Sequence, residues 1–185
     1  MLLSDREIKK YIKDKKITIT PSPNLKTQLS GASLDLCLGN EFRIFDHSRN
    51  IVIDPKRKTE NTRLVKLRGK EPFVVHPGEF VLGITKESVG YDNTLCAIIH
   101  GKSSIGRMGI IVHSTAGYVN PGWKGNLTLE ISNIGRIPVL LYSGMRICQL
   151  TFETLSSPAQ NTSEKRGKYH NQKNPQQSRI NQEKI

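Results

Sequence analysis

The residues with the clearest capacity for chemistry lie in the stretch GKSSIGRMGIIVHSTAGYVNPGWKGNLTLE, from Gly101 to Glu130. At its start, Lys102, two serines and Arg107 follow a glycine turn, and such side chains can donate hydrogen bonds to phosphate oxygens. At its end, Glu130 is a single carboxylate in an alternating strand pattern, and a carboxylate can take up and return protons during hydrolysis. The stretch therefore combines phosphate binding with acid–base chemistry.

Three common catalytic motifs do not account for this stretch. A P-loop needs another glycine at position 96, which is Cys here, and it needs a parallel α/β sheet that the strand-rich sequence does not offer. The five histidines are dispersed, no CxxC occurs, and the H-x-E…P-C-x-x-C signature of zinc nucleobase deaminases is missing. No G-x-S-x-G elbow marks a serine hydrolase. The residues alone leave Glu130 either as a solvated strand carboxylate or as a catalytic group covered by a neighbouring subunit or by the tail.

The elements that must position these residues are mostly short strands. Ser4 and Glu7 form a capping box that predicts an N-terminal helix to about Lys15. After Pro21 and Pro23 the apolar pattern has period two, and residues 54–70 are charged enough to predict a mobile loop or an irregular edge. Strands are predicted over 33–39, 41–45, 51–53, on both sides of a turn at 76–79, and over 95–101, 110–114, 126–132 and 137–155. In the strand 126–132, Leu127 faces the core while Glu130 faces away from it. Many short strands with glycine and proline turns predict an all-β sandwich or jelly-roll-like barrel.

Bulk properties limit the functional classes. A chain of 185 residues fits one domain, and its net charge of +12 comes about half from residues 1–16 and 160–185. This positive charge favours solubility or the binding of an anionic ligand such as a nucleotide triphosphate. Aromatic residues make up only 6% of the chain and no basic helix is predicted, which argues against nucleic acid as the ligand. No apolar run is long enough for a membrane span, no signal-peptide layout is present, and three dispersed cysteines predict a reducing, intracellular location. Beyond Leu155 the chain is polar, which predicts either a disordered tail or a tail that folds over a ligand.

Four blocks of the sequence resemble the dCTP deaminase family of the dUTPase superfamily. They are GASLDLCLGNEFRIF, HPGEFVLGITKESV, GKSSIGRMGIIVHSTAGYVNPGWKGNLTLEISN and SGMRICQLTFETLSSPA, and the likeness extends from LSDREIKKYI to KYHNQ and SRI near the end. The resemblance implies a distorted jelly-roll-like β-barrel of the dUTPase-like (β-clip) type with a short N-terminal helix. It also implies a β domain over residues 1–158, a flexible C-terminal lid over 159–185, and a homotrimer whose three active sites lie between subunits.

The activity that the resemblance implies is the zinc-independent hydrolytic deamination of dCTP to dUTP and ammonia, in pyrimidine deoxynucleotide biosynthesis in the cytoplasm. Mg²⁺ is expected to be bound through the nucleotide triphosphate. The expected small-molecule partners are dCTP and dUTP, with dTTP as a family-level feedback inhibitor that no single residue here establishes. No nucleic-acid or membrane partner is expected.

The resemblance also assigns roles to individual positions. Glu130 corresponds to the catalytic carboxylate, Ser103 and Arg107 complete the deaminase site, and the carbonyl of Ala116 helps to position the attacking water. No metal ligand is implied. The expected nucleotide-binding residues are Lys102, Ser103, Ser104, Ile105, Gly106, Arg107, Asn120, Thr128, Leu129, Glu130, Gln149, Lys168 and Gln172.

Departures from the family pattern bear on the product. Asn120 stands where the family usually has Asp, and an amide cannot act as a base; a tyrosine of the family's tail has no counterpart in QNTSEKRG. The stretch Ser114 to Gly117 is similar to bifunctional members, whereas deaminase-only members more often have His in place of Gly117. We expect dUTP to be the released product. The alternatives are a bifunctional enzyme that forms dUMP and diphosphate, a plain dUTPase, and a nucleotide-responsive interaction protein without turnover.

Overall fold

The computed structural model describes residues 1–46, 52–57 and 61–183. None of the helices in this part of the chain has both the length and the apolarity needed to cross a bilayer. The elements in chain order are α1 (Asp5–Lys13), β1 (Ile17–Thr20), α2 (Leu25–Gln28), β2 (Leu34–Cys37), β3 (Glu41–Phe45), β4 (Thr62–Lys66), β5 (Phe73–Val75), β6 (Phe80–Tyr91), β7 (Leu95–Gly101), α3 (Ser103–Gly106), β8 (Ile110–Ile111), β9 (Tyr118–Val119), β10 (Lys124–Asn133), β11 (Val139–Leu141), β12 (Arg146–Thr154), α4 (Ser163–Arg166) and a 3₁₀ turn (Ile180–Gln182).

Two antiparallel sheets enclose the core. The larger sheet has the order β4-β3-β6-β10-β8, with β1 also paired to β6, and the second has the order β2-β12-β7-β9. Strands β5 and β11 form a separate two-stranded ribbon. Buried side chains from both sheets belong to one continuous cluster, among them Leu34, Leu36, Phe152, Val81, Leu129 and Ile131. The predicted all-β, jelly-roll-like architecture with one short N-terminal helix is confirmed.

The N-terminal helix forms for the reason that its sequence indicates. The Ser4 backbone N–H donates to the Glu7 carboxylate at 3.1 Å, which satisfies one of the free donors at the helix start. Ile8 is fully buried and anchors the helix to the core. The helix ends at Lys13, slightly before the predicted Lys15, because Lys15 adopts a left-handed φ of 58°.

The strand predictions differ in how well they hold. Strands β3 and β7 occupy the predicted spans 41–45 and 95–101. The sequence predicts a mobile loop or an irregular edge over residues 54–70; Thr62–Lys66 is not a loop but the edge strand β4, which pairs with β3. Of the strand predicted over 51–53, residues 52 and 53 are not in a strand, and residue 51 lies outside the described residues. The predicted span 110–114 shortens to β8, and the span 137–155 divides into β11 and β12.

Candidate active site

Glu130 lies on the face of β10 that points away from the core, as the alternation predicts. Leu127, Leu129 and Ile131 are buried, whereas Thr128 and Glu130 are half-buried between them. A β-bulge against β6 sets this register: Thr85 accepts the Asn126 side-chain amide through its backbone oxygen at 2.9 Å, and its hydroxyl accepts the Leu127 N–H at 2.9 Å. The register of β10 against β6 therefore determines that the Glu130 side chain points away from the core.

The loop after β8 holds the Glu130 carboxylate. Its Oε2 atom accepts the backbone N–H groups of Ser114 at 3.1 Å and Thr115 at 3.2 Å. Further along this loop, Gly117 packs against β7, where its oxygen accepts the Ile99 N–H at 2.7 Å and a Cβ would lie 2.9 Å from the Ile99 oxygen. Two charge-assisted hydrogen bonds thus fix the carboxylate, and a close backbone approach fixes the loop that supplies them.

Glu130 is one wall of a cavity of about 390 Å³ between β10, the 116–120 loop and the C-terminal segment. Ala116, Asn120 and Thr128 also line it, so these predicted site residues lie together. Its lining is completed by Phe45, Phe80, Leu82, Ile99, Tyr118, Val119, Trp123, Leu127, Tyr169, Gln172, Gln176 and Ser178. Apolar and aromatic walls with a few polar groups are typical of small-molecule sites of this size.

The C-terminal segment closes one side of this cavity. Gln172 pairs with Asn126 through two hydrogen bonds, from Asn126 N–H to the Gln172 oxygen at 3.0 Å and from Gln172 Nε2 to the Asn126 oxygen at 2.8 Å. Thr128 Oγ1 donates to Gln172 Oε1 at 3.3 Å and accepts the Gln176 N–H at 3.4 Å. The described part of the tail therefore packs against β10, and a flexible lid over residues 159–185 stays a prediction.

The predicted phosphate-binding turn lies elsewhere in the protomer. Ser103, Ser104 and Arg107 are exposed on and after α3 and do not line the Glu130 cavity. Arg107 lines a separate open groove together with Met108, Ile134 and Ile137. A single copy of the chain therefore does not bring Ser103 and Arg107 into the cavity that Glu130 lines.

Two predicted nucleotide-binding residues have side chains in the core. Leu129 is fully buried and Ile105 is 4% exposed, so both belong to the apolar cluster. Ile105 anchors α3, and Leu129 anchors β10. Any contact of these residues with a nucleotide is limited to their main-chain atoms.

Lys168 and Gln149 also lie outside the cavity lining. The Lys168 ammonium forms an ion pair with Glu183 within the C-terminal segment. Gln149 lies on β12 in the four-stranded sheet, and its Nε2 donates to Asp35 Oδ1 at 3.3 Å. Gln149 and Lys102 share Asp35 as an acceptor, because Lys102 Nζ lies 2.7 Å from Asp35 Oδ2.

No group of three or more His, Cys, Asp or Glu side chains within residues 1–46, 52–57 and 61–183 is arranged to hold a metal ion. His113 lies just beyond β8 and is half-buried. Burial lowers the pKa of His113, the neighbouring His100 lowers it further, and Glu130 opposes the shift.

Several cavity residues are not predicted from the sequence, and of these Tyr169 alone has a signal in the sequence. Tyr169 and Gln176 come from the C-terminal segment, whose polar composition gives no periodicity to follow. Phe45 and Phe80 come from strands where an exposed aromatic has no distinctive pattern. Tyr169 directly follows Lys168 in the KYHNQ block, and that proximity is the one available signal.

A protein-family model described as dCTP deaminase-like matches residues 2–155. The chain is 49% identical over 185 residues to a protein of Dictyoglomus thermophilum named "dCTP deaminase, dUMP-forming", covering 98% of this chain and 95% of the relative. It is 47% identical to a "dCTP deaminase" of Thermomicrobium roseum, over 99% of this chain and 95% of that one. It is also 46% identical to a "dCTP deaminase, dUMP-forming" of Methanothermobacter thermautotrophicus, over 97% and 93%.

Among solved structures, the 2'-deoxycytidine 5'-triphosphate deaminase of Agrobacterium tumefaciens superposes with a TM-score of 0.65 at 24% identity. The match covers 83% of this chain and 48% of that chain. At this identity the likeness concerns the fold, and it agrees with the dUTPase-like architecture expected from the sequence blocks.

Proposed function

The chain belongs to the dCTP deaminase-like family, and from that premise we propose that it hydrolyses dCTP to dUTP and ammonia. The observation that carries the proposal is the Glu130 carboxylate, held by two backbone N–H groups on the wall of the 390 Å³ cavity. Ala116, Asn120 and Thr128 share that wall, so the cavity contains the carboxylate together with acceptors and donors for a water and a base.

The reaction adds water to C4 of cytosine and removes the exocyclic amino group. Glu130 takes a proton from the attacking water while the water oxygen bonds to C4. The Glu130 carboxyl group then delivers that proton to N3. In the second stage Glu130 moves the proton of the new hydroxyl to the amino group, the C4–N bond breaks, and a C4 carbonyl forms. The sum is dCTP plus water giving dUTP plus ammonia. The Ala116 carbonyl accepts a hydrogen bond from the water and orients it.

Ser103 and Arg107 complete this site from a neighbouring copy. Within one protomer they lie away from the Glu130 cavity, and Arg107 is bordered by exposed apolar side chains. Ile134 and Ile137 are 71% and 75% exposed, and Met108 beside them is also exposed. An apolar patch next to half of a catalytic set fits burial against a second copy of the chain, and we propose the homotrimer that the family resemblance implies.

The substrate enters as the Mg²⁺ complex of the nucleotide triphosphate. Lys102, Ser104 and Arg107 provide donors for phosphate oxygens, and the net charge of +12 favours an anionic substrate. In the proposed zinc-independent reaction Glu130 activates the attacking water as a general base, the step for which zinc nucleobase deaminases use a metal ion that lowers the pKa of the water.

The test is an assay of the purified protein with dCTP and Mg²⁺ that measures ammonia and nucleotides in parallel. We expect ammonia from the wild type at a rate that a zinc-selective chelator does not lower. We expect Glu130→Gln to reduce deamination by about 1,000-fold or more while dCTP still binds, because an amide cannot carry protons. Glu41→Gln is the matched control, since Glu41 is a half-buried strand carboxylate paired with Lys66.

The assignment would be wrong if Glu130→Gln turned over at close to the wild-type rate. Release of dUMP from supplied dUTP without ammonia from dCTP would indicate a plain dUTPase. Tight nucleotide binding without any product would indicate the non-enzymatic alternative. Adding dTTP to the same assay tests the predicted feedback inhibition.

A second candidate is a bifunctional enzyme that hydrolyses dUTP onward to dUMP and diphosphate. Two of the relatives named above carry the words dUMP-forming. Gly117 also favours it, because the family resemblance places His more often at this position in deaminase-only members. Asn120 argues against efficient phosphate hydrolysis. Chromatography of the dCTP reaction decides between the two: dUMP and diphosphate in equal amounts support the second candidate, and accumulated dUTP supports the first.

A further inference from the structure

Asp35 is a buried carboxylate that the proposed mechanism does not use. It lies on β2 in the four-stranded sheet, directly opposite Gln149 of β12, which in turn lies opposite His100 of β7. Cross-strand partners share a face, so these three side chains form a row on one face. The Asp35 side chain is nevertheless only 2% exposed, because other side chains cover it.

Two cations converge on this carboxylate. Lys102 Nζ lies 2.7 Å from Asp35 Oδ2 and Arg146 Nη1 lies 3.2 Å from the same oxygen. Gln149 donates to Oδ1 at 3.3 Å. One negative charge therefore holds two positive charges, and the cluster has a surplus of one positive charge at the surface.

Arg146 retains donors that no described residue uses. Its Nη1 donates to Asp35 and to the Thr27 oxygen, while no hydrogen bond among the described residues involves its Nε or Nη2. The Arg146 side chain is 45% exposed, whereas Lys102 is 22% exposed. The guanidinium is thus held through Nη1, and in this half-exposed side chain Nε and Nη2 have no hydrogen-bond partner among the described residues.

The position of this cluster indicates what those donors bind. Lys102 directly precedes Ser103 and α3 and is a proposed phosphate donor, and Gln149 is expected from the family resemblance to bind the nucleotide. A planar guanidinium with free N–H groups suits phosphate oxygens. A purely structural role, joining β12 to α2 through Thr27, would need only the Nη1 atom.

We propose that Arg146 is a further nucleotide-binding residue, held by Asp35, that contacts the terminal phosphates and makes the enzyme select nucleoside triphosphates over diphosphates. This inference rests on the proposed function. Asp35 is a positioning residue in it: it orients Arg146 and Lys102 and does not itself contact the substrate.

The test compares dCTP with dCDP for the wild type and Arg146→Met. We expect the variant to raise KM for dCTP by about 10-fold to 100-fold with kcat changed less than threefold, as for a lost charge-assisted hydrogen bond. KM for dCDP, which lacks the terminal phosphate, should change much less, so the preference for dCTP falls. Arg146→Lys should restore part of the preference. Arg6→Met on the exposed face of α1 is the matched control and should behave as the wild type.

A double-mutant cycle tests the role of Asp35. Asp35→Asn should also raise KM for dCTP. The double variant Asp35→Asn/Arg146→Met should have a KM close to that of Arg146→Met alone, since the two residues act together. Melting temperature and oligomeric state of each variant identify any that fail to fold. Equal effects of Arg146→Met on dCTP and dCDP, or no effect on either, would overturn the proposal.

Calorimetry with inorganic tripolyphosphate separates this inference from the proposed function. We expect Arg146→Met to bind tripolyphosphate at least about 10-fold more weakly than the wild type. If the wild type releases no ammonia but this difference persists, the proposed function fails and the phosphate contact stands. If ammonia is released but tripolyphosphate affinity is unchanged, the contact fails and the function stands.

Discussion

Glu130 and Asp35 show what can and cannot be predicted at the scale of a residue. The alternation of β10 alone predicts that Glu130 lies on the non-core face, because a strand has a period of two. The same rule places Asp35 on an outer face and so predicts an exposed side chain. Its burial comes from Lys102 and Arg146, which are 67 and 111 residues away in the chain. Local pattern carries no information about such distant partners.

His113 gives a pH dependence of stability. Its pKa lies below the ordinary value of 6.5 because burial and His100 disfavour the charged imidazole, and Glu130 offsets this only in part. The unfolded chain therefore takes up this proton at a higher pH than the folded protein does, and protonation stabilises the unfolded state. The contribution of neutral His113 is present above about pH 6.5 and is lost as the pH falls towards its lowered pKa.

We therefore predict that the melting temperature falls less between pH 7.5 and pH 5 for His113→Asn than for the wild type. Scanning calorimetry of both proteins across that range measures the difference. His76→Asn is the control, since His76 is exposed and is not among the groups that shift the pKa of His113. A variant whose melting temperature falls as steeply as that of the wild type would show that His113 does not titrate differently in the two states.

At the scale of elements, strands with a clear apolar pattern are predictable and charged strands are not. Strand β3 occupies its predicted position because EFRIF places apolar Phe42 and Ile44 two residues apart, and β7 does so because LCAIIHG is a short continuous apolar run, which is typical of a buried strand. Strand β4 escapes prediction because TRLVK has two basic residues and lies in a charged stretch. Its strand structure comes from pairing with β3, and such pairing is a tertiary effect that overrides local propensity.

The C-terminal segment is fastened to the larger sheet by Arg43. Arg43 Nε donates to the Pro175 oxygen at 2.7 Å, and Arg43 Nη1 donates to Thr62 Oγ1 at 3.1 Å. Thr62 Oγ1 in turn donates to Gln177 Oε1 at 3.0 Å. These bonds hold Pro175 and Gln177, the residues on either side of Gln176, which lines the Glu130 cavity. We therefore expect their loss to open that side of the cavity.

We predict that Arg43→Ala raises KM for dCTP about 10-fold, since one charge-assisted bond to the segment, worth about 1.5 kcal/mol net, is lost. The same change should speed proteolytic cleavage between residues 165 and 179. Arg63→Ala, an exposed change on the neighbouring β4, is the control. Unchanged KM together with unchanged cleavage would mean that the segment does not depend on Arg43.

At the scale of the whole molecule, the candidate site is divided. Glu130, Ala116 and Asn120 line one cavity, whereas Arg107 lines another groove beside exposed Ile134. The family resemblance assigns Glu130 and Arg107 to one catalytic site, and a single copy of the chain does not bring them into one cavity. The division is what a site shared between copies requires, and spacing along the chain cannot reveal it.

The central claim is that Glu130 of one copy works with Arg107 of another. The most direct measurement is the deaminase activity of assemblies made by co-expressing Glu130→Gln and Arg107→Ala, each inactive alone. Random mixing in a ring leaves about one site in four with both native residues, so we predict about a quarter of the wild-type rate. Mixed assemblies of native size with no activity above that of the single variants would contradict the claim.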